Sequence, residues 1–151
     1  MNIRAVLCGV VIGVAGLGPV SASSSSSSGN NGPLMSSQSA MSRALSSFET
    51  RAERITVAAE TQIPKLATRN PSRASVAAER ARAQVNSHSS RTMTLIERQR
   101  ASGERRLASV PDSSQRVEAL NASAARTSAQ LQYAADICIE RINAAANAAG
   151  L

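Results

Sequence analysis

The sequence has almost no aromatic residues and no tryptophan. Phe48 and Tyr133 are the only aromatic residues in 151, although 42% of the residues are hydrophobic. Alanine makes up the largest share of the hydrophobic residues, and it buries little apolar area per residue. This composition argues against a large globular enzyme with a deep apolar pocket. It also excludes an aromatic platform on which nucleic-acid bases could stack.

Histidine and cysteine are nearly as scarce. His88 is the single histidine, and Cys8 and Cys138 are the two cysteines. Nothing in the sequence brings His88 and Cys138 together as a base and a nucleophile, and the sequence contains no phosphate-binding loop, serine-hydrolase or zinc-protease motif. It also lacks clustered metal ligands. We therefore expect a protein that is not an enzyme and that uses no cofactor and no metal.

The first 22 residues have the layout of a secretory signal peptide. Arg4 supplies the positive charge, an uncharged apolar run extends from Ala5 to Gly18, and small residues precede a cleavage site after Ala22. An uncleaved membrane anchor is the alternative, but residues 5–20 are fewer than the roughly 20 that a spanning helix needs. We expect a secreted or periplasmic protein. Cleavage would leave Cys138 as the single thiol, either buried, free, or able to join two chains.

A serine-rich segment comes next, followed by three stretches with helical periodicity. Residues 23–39 contain mainly Ser, Gly and Asn, have little to bury, and are predicted to form a disordered linker. A helical domain is predicted over residues 40–151, with helices at about 40–69, 71–110 and 112–147.

Each helical stretch has an apolar stripe at heptad spacing. In the first stretch the stripe consists of Met41, Leu45, Phe48, Ala52, Ile55, Ala59, Gln62 and Leu66. The second stretch has a poorer stripe, of Ala74, Ala78, Ala81, Val85, Ile96, Leu107 and Val110. The third has Val117, Leu120, Ala124, Thr127, Leu131, Ala134 and Cys138, and then Ile142, Ala145 and Ala149.

Helix-boundary signals separate the three stretches. Asn70 and Pro71 suit the N-cap and first positions of a helix. Asp112 and Gln115 have the spacing of a capping box, and Gly150 is typical of a helix end.

These patterns predict an all-α fold, either an alanine-rich helical hairpin or a three-helix bundle with coiled-coil seams. Pro64 should kink the first helix or end it early, and Gly103 should weaken the second by ~1 kcal/mol relative to alanine. The predicted core is thin because most of its residues are small. Thin cores are usually completed by association, so we expect self-association.

Arginine dominates the charge of the chain. The net charge is +7, and sixteen of the seventeen basic residues are arginine. Five arginines in the second stretch fall within about 40° of one another at 100° per residue. They are Arg73, Arg80, Arg91, Arg98 and Arg105. None has an acidic residue three or four positions away, so none is paired within its own helix.

Two interpretations of this arginine stripe remain open. It could pair with carboxylates of another helix, either the flank formed by Glu49, Glu53 and Glu60 or the acids of the third stretch, Glu118, Asp136 and Glu140. Alternatively, it could form a linear surface for an anionic partner, since the guanidinium fork suits phosphate and carboxylate.

The sequence therefore favours a helical interaction protein that binds an envelope protein or an anionic surface. Sequence-specific recognition of nucleic acid is not expected, and contact with a membrane should be peripheral. A chaperone-like periplasmic clamp for unfolded clients is one alternative, and a structural component of a secretion or pilus apparatus is another.

Overall fold

The structure, a computed structural model, describes residues 32–111 and 113–151. Three long helices account for nearly all of them: α1 (Gly32–Ala67), α2 (Pro71–Leu107) and α3 (Ser114–Ala148). Each helix packs against the other two, and the short connections make successive helices antiparallel. The all-α prediction is confirmed, and the fold is the three-helix bundle rather than the hairpin. The predicted signal peptide and residues 23–31 of the predicted linker lie outside the described residues.

The first helix begins earlier than expected. Residues 32–39, assigned by composition to the disordered linker, form the first turns of α1. Ser37 is 2% exposed, and Leu34 packs against the core. This correction has a tertiary cause. The Ser37 side chain packs so closely on Gly103 of α2 that a side chain at position 103 would overlap it. Local composition carries no information about that contact.

The apolar stripes are largely confirmed, with a shift of one residue at later positions. In α1 Ile63 is fully buried and Gln62 is exposed, although the heptad pattern placed Gln62 in the stripe. In α3 Ala135 and Ala146 are buried in place of Ala134 and Ala145, which are only partly buried. A heptad advances 3.5 residues per turn whereas a straight helix has 3.6, so buried positions drift by one residue over several turns. A strict heptad was therefore the wrong template for these positions.

Boundary predictions hold at the first turn and differ at the second. The Asn70 side chain accepts a 3.1 Å hydrogen bond from the Arg73 backbone N–H, and Pro71 is the first residue of α2. The first helix continues through Pro64 to Ala67. Ser113 is the N-cap of α3 and makes no side-chain capping bond, while Asp112, the expected capping residue, lies outside the described residues.

The second and third helices also end close to the expected positions. The last residue of α2 is Leu107, so Val110 lies beyond the helix. After α3, Gly150 has a φ of 75°, a left-handed conformation that glycine adopts without strain.

The core is narrow and contains threonines as well as apolar residues. Thr56, Thr92 and Thr127 are buried, and each hydroxyl donates a 2.9 Å hydrogen bond to the carbonyl four residues earlier. Because of these bonds the described part of the chain has no buried side-chain polar atom without a partner. The largest fully buried side chains are Phe48, Met41, Ile63, Ile96, Leu107, Leu120, Leu131 and Ile142.

None of the three described helices has an apolar stretch long enough to cross a membrane.

Candidate functional site

The five arginines of the predicted stripe are all exposed along one side of α2. The Arg105 Nε donates a 3.3 Å hydrogen bond to the Ala101 carbonyl of its own helix. Within residues 32–111 and 113–151, none of the five takes part in any of the ion pairs that the structure contains. The stripe is therefore a surface of uncompensated positive charge.

Two of the three acids of the α1 flank, Glu53 and Glu60, bind α3 instead of α2. Arg141 on α3 donates to these two acids, with 2.7 Å from Nη1 to a Glu53 oxygen and 2.9 Å from Nε to a Glu60 oxygen. A further 2.9 Å bond from Nη2 makes the contact with Glu60 bidentate. Hydrogen bonds with Glu60 and then Glu53 raise the pKa of the Arg141 guanidinium above its ordinary value. Intrachain pairing of the α2 stripe with this pair of acids is therefore contradicted.

Arg100 and Arg82 on α2 are both held on the side that faces α3. Arg100 pairs with Glu97, three residues earlier, at 2.9 Å and with Glu104, four residues later, at 2.7 Å. The hydrogen bond with Glu97 is the main reason that the pKa of Arg100 is raised. Arg82 donates a 2.8 Å hydrogen bond across the interface to the Asn143 side-chain oxygen, instead of to an acid of its own helix. The two arginines whose guanidinium groups bind other side chains thus lie on a different side of α2 from the five arginines of the stripe.

A long groove between α1 and α2 brings arginines of both helices together. Two depressions, lying end to end along these helices, are lined by residues from Ser72 to Gln99 of α2, roughly 40 Å of helix. No aspartate or glutamate belongs to either lining among the described residues. We call this channel the arginine groove. Its arginines are Arg43, Arg51 and Arg54 from α1 and Arg73, Arg80 and Arg91 from α2.

The structure divides the predicted stripe and adds to it. Arg73, Arg80 and Arg91 line the groove, whereas Arg98 and Arg105 continue the stripe toward the end of α2, outside that lining. The three arginines of α1 were not predicted as part of the site. The sequence could have indicated them, because arginines and glutamates occupy different sides of α1. It does not show, however, which side of α1 faces α2.

The floor of the groove is made of small and apolar residues. Ala58, Ala59, Ala77 and Ala81 lie between the two helices. Val76 and Leu95 are partly open to solvent at the α2 side, each 46% exposed. Small floor residues leave room for a partner to approach the backbone closely, and the arginines surround that floor with hydrogen-bond donors.

The two residues considered for catalysis lie apart. His88 belongs to the lining of the arginine groove, whereas Cys138 is 7% exposed and part of the core on α3. A thiol in that position cannot reach a second chain unless α3 moves, so its placement does not favour an interchain disulfide. Residues 32–111 and 113–151 contain no group of three or more His, Cys, Asp or Glu side chains that could hold a metal ion. The chemistry that the groove offers is the binding of anions by guanidinium groups.

No family model, curated protein or solved structure matches this chain.

Proposed function

We propose that this protein is exported and acts by binding an anionic partner, an envelope protein or an anionic surface, along the arginine groove. Export is supported by the layout of residues 1–22, with processing after Ala22. Sequencing the N-terminus of the protein recovered outside the cytoplasm tests this part, and the expected first residue is Ser23.

The segregation of charge carries the binding proposal. Six arginines line a groove whose described lining has no carboxylate, while Glu53, Glu60, Glu97 and Glu104 bind arginines on the sides that face α3. A solvated surface of mixed charge would place carboxylates among the arginines. Segregated arginines instead keep their bidentate donors available for an external phosphate or carboxylate.

The shape and composition of the groove favour a linear partner without base recognition. Its length of roughly 40 Å suits an extended anion or a helix. Neither aromatic residue of the sequence lines it as an exposed ring, because Phe48 is 2% exposed and Tyr133 lies on α3. Binding should therefore weaken as the salt concentration rises. If the ligand is a nucleic acid, the affinity should not depend on its nucleotide sequence.

Charge reversal in the groove is the direct test. The groove-reversed variant carries Arg73→Glu, Arg80→Glu and Arg91→Glu, the three α2 arginines of the groove lining, all at exposed positions. We expect it to bind poly-L-glutamate and phosphatidylglycerol vesicles at least about tenfold more weakly, because three attractions become repulsions and about 1.4 kcal/mol corresponds to a factor of ten. Circular dichroism should report unchanged helicity.

A matched control separates the groove from bulk charge. The variant with Arg69→Glu, Arg106→Glu and Arg126→Glu has the same net charge and alters three exposed arginines outside the groove lining. It should bind both probes nearly as the unaltered protein does. Equal weakening in the two variants, or none in the groove-reversed variant, would refute the proposal. Loss of helicity in the groove-reversed variant alone would assign these arginines a structural role.

A further inference from the structure

The outer side of α3 carries an acidic surface with an exposed aromatic residue. Glu118, Tyr133, Asp136 and Glu140 are exposed and lie within about 60° of one another at 100° per residue. We call these four residues the α3 outer face. Tyr133 is 66% exposed, more than any other exposed large apolar side chain in the described part of the chain. Exposed tyrosines flanked by charge are frequent anchors of protein interfaces.

Two of the three acidic residues of this face, Asp136 and Glu140, have no ion-pair partner among the described residues. Arg141, one position after Glu140, points to α1 and binds Glu53 and Glu60. Neither Asp136 nor Glu140 takes part in an ion pair that the structure contains within residues 32–111 and 113–151. Asp136 and Glu140 therefore remain available to bind basic groups of a partner, as the arginines of the groove remain available to bind acidic ones.

The two surfaces are complementary in chemistry and in shape. A helix can lie in the channel between two other helices, and the alanine floor of the arginine groove permits close approach. Ala122 and Ala125 are also exposed, and their small side chains keep the outer side of α3 narrow in the first half of the helix. Its carboxylates would meet guanidinium groups, and the Tyr133 ring can pack against Val76 or Leu95 or stack on a guanidinium.

We infer that the occupant of the arginine groove is the α3 outer face of a second copy of this chain. Because each helix packs against the other two, this face points away from the groove of its own bundle. The contact is therefore heterologous: each copy offers one groove and one α3 outer face on opposite sides. Such contacts build open chains or rings and do not close a two-fold dimer. The inference rests on the proposed function, since it names the anionic partner of the same groove.

Charge reversal on α3 tests the inference without touching the groove. The face-reversed variant carries Asp136→Arg and Glu140→Arg, and its control carries Glu49→Arg and Glu79→Arg, which give the same net charge at exposed positions elsewhere. Sedimentation of the full chain over a wide concentration range should reveal species larger than a dimer at low salt. Association should weaken at least about tenfold in the face-reversed variant and in the groove-reversed variant, but not in the control.

Mixing the two reversed variants gives the sharpest outcome. In the groove-reversed variant the α2 side of the groove carries three glutamates, which fit the basic α3 face of the other variant, and the remaining native groove and native face also fit each other. An equimolar mixture should therefore form alternating assemblies at concentrations where each variant alone associates only weakly. Neither variant has a net negative charge, so general attraction between oppositely charged proteins does not explain such a result.

Several results would overturn the inference. They are a monomer at every concentration, a dimer that grows no further, association that Asp136→Arg and Glu140→Arg leave unchanged, or a mixture that stays unassociated. The proposed function has a separate readout. If the groove-reversed variant still loses binding to poly-L-glutamate while self-association is absent or unaltered, the groove binds another anionic partner and only the inference fails.

Discussion

Replacing Gly103 with alanine should affect the stability of the protein in two opposite ways, and the two effects differ in magnitude. Alanine is the better helix former by about 1 kcal/mol, so the helix alone favours the change. In the bundle, however, a Cβ at this position would lie 2.6 Å from Leu120 Cδ2 and 2.7 Å from Ser37 Oγ, and 3.2 Å from Ser37 Cβ. The added methyl group thus meets two other helices at once.

The overlap should exceed the gain in helix propensity. Leu120 is fully buried and cannot turn toward solvent, and rotating the Ser37 hydroxyl does not remove its Cβ. Overpacking of this kind costs about 1–3 kcal/mol, and overlap with two helices places it in the upper part of that range. We expect a net loss of about 1–2 kcal/mol in the free energy of unfolding, a decrease in Tm of about 4–8 °C for a domain of this size.

Urea and thermal denaturation followed by circular dichroism measure the effect. Gly32→Ala is the control, because a Cβ there meets nothing within 4 Å, and its free energy of unfolding should change by less than about 0.5 kcal/mol. Adding Ser37→Gly to Gly103→Ala should recover part of the loss, with a coupling above about 0.5 kcal/mol. An increase in stability on Gly103→Ala alone would refute the close-packing explanation.

Substitutions at two positions and one labelling experiment test the contacts, the caps and the burial of side chains in the bundle. Arg141→Ala should lower the free energy of unfolding by about 1 kcal/mol or less, since the pairs with Glu53 and Glu60 are partly exposed; a larger loss in urea denaturation would contradict that limit. Cys138 should react slowly with a thiol reagent in the native protein and rapidly in urea, and rapid native labelling would place it at the surface. Asn70→Ala should cost about 1 kcal/mol by removing the N-cap of α2, whereas Asn70→Ser should cost little, as thermal denaturation of both variants would report.

Much of the fold could be predicted because its signals are local. Seven of the eight residues buried in α2 fall on the predicted stripe or at Gly103, since apolar periodicity reports which side of a helix is buried. The Asn70 cap was predicted for the same reason, because capping needs a particular side chain at a particular position. The burial of Thr92 was not predicted, because threonine carries a polar hydroxyl. In the structure this hydroxyl donates a hydrogen bond to the His88 carbonyl of the same helix.

The site was predicted only in part, because half of it comes from another helix. The sequence placed Arg73, Arg80 and Arg91 on one side of α2, since angular position along one helix follows from residue numbers. It left open whether Glu53 and Glu60 would neutralise them. That depends on which sides of α1 and α2 meet, and the bond from Arg141 assigns these glutamates to α3.

The sequence by itself determined that this chain forms three helices with narrow apolar stripes and an arginine-rich second helix, since periodicity, caps and charge are properties of neighbouring residues. The tertiary structure alone decided that α1 extends back to Gly32, that Gly103 lies where three helices meet, and that arginines of α1 and α2 share one groove. These outcomes depend on how the helices are rotated against one another. Packing over the whole bundle sets that rotation, and no single segment encodes it.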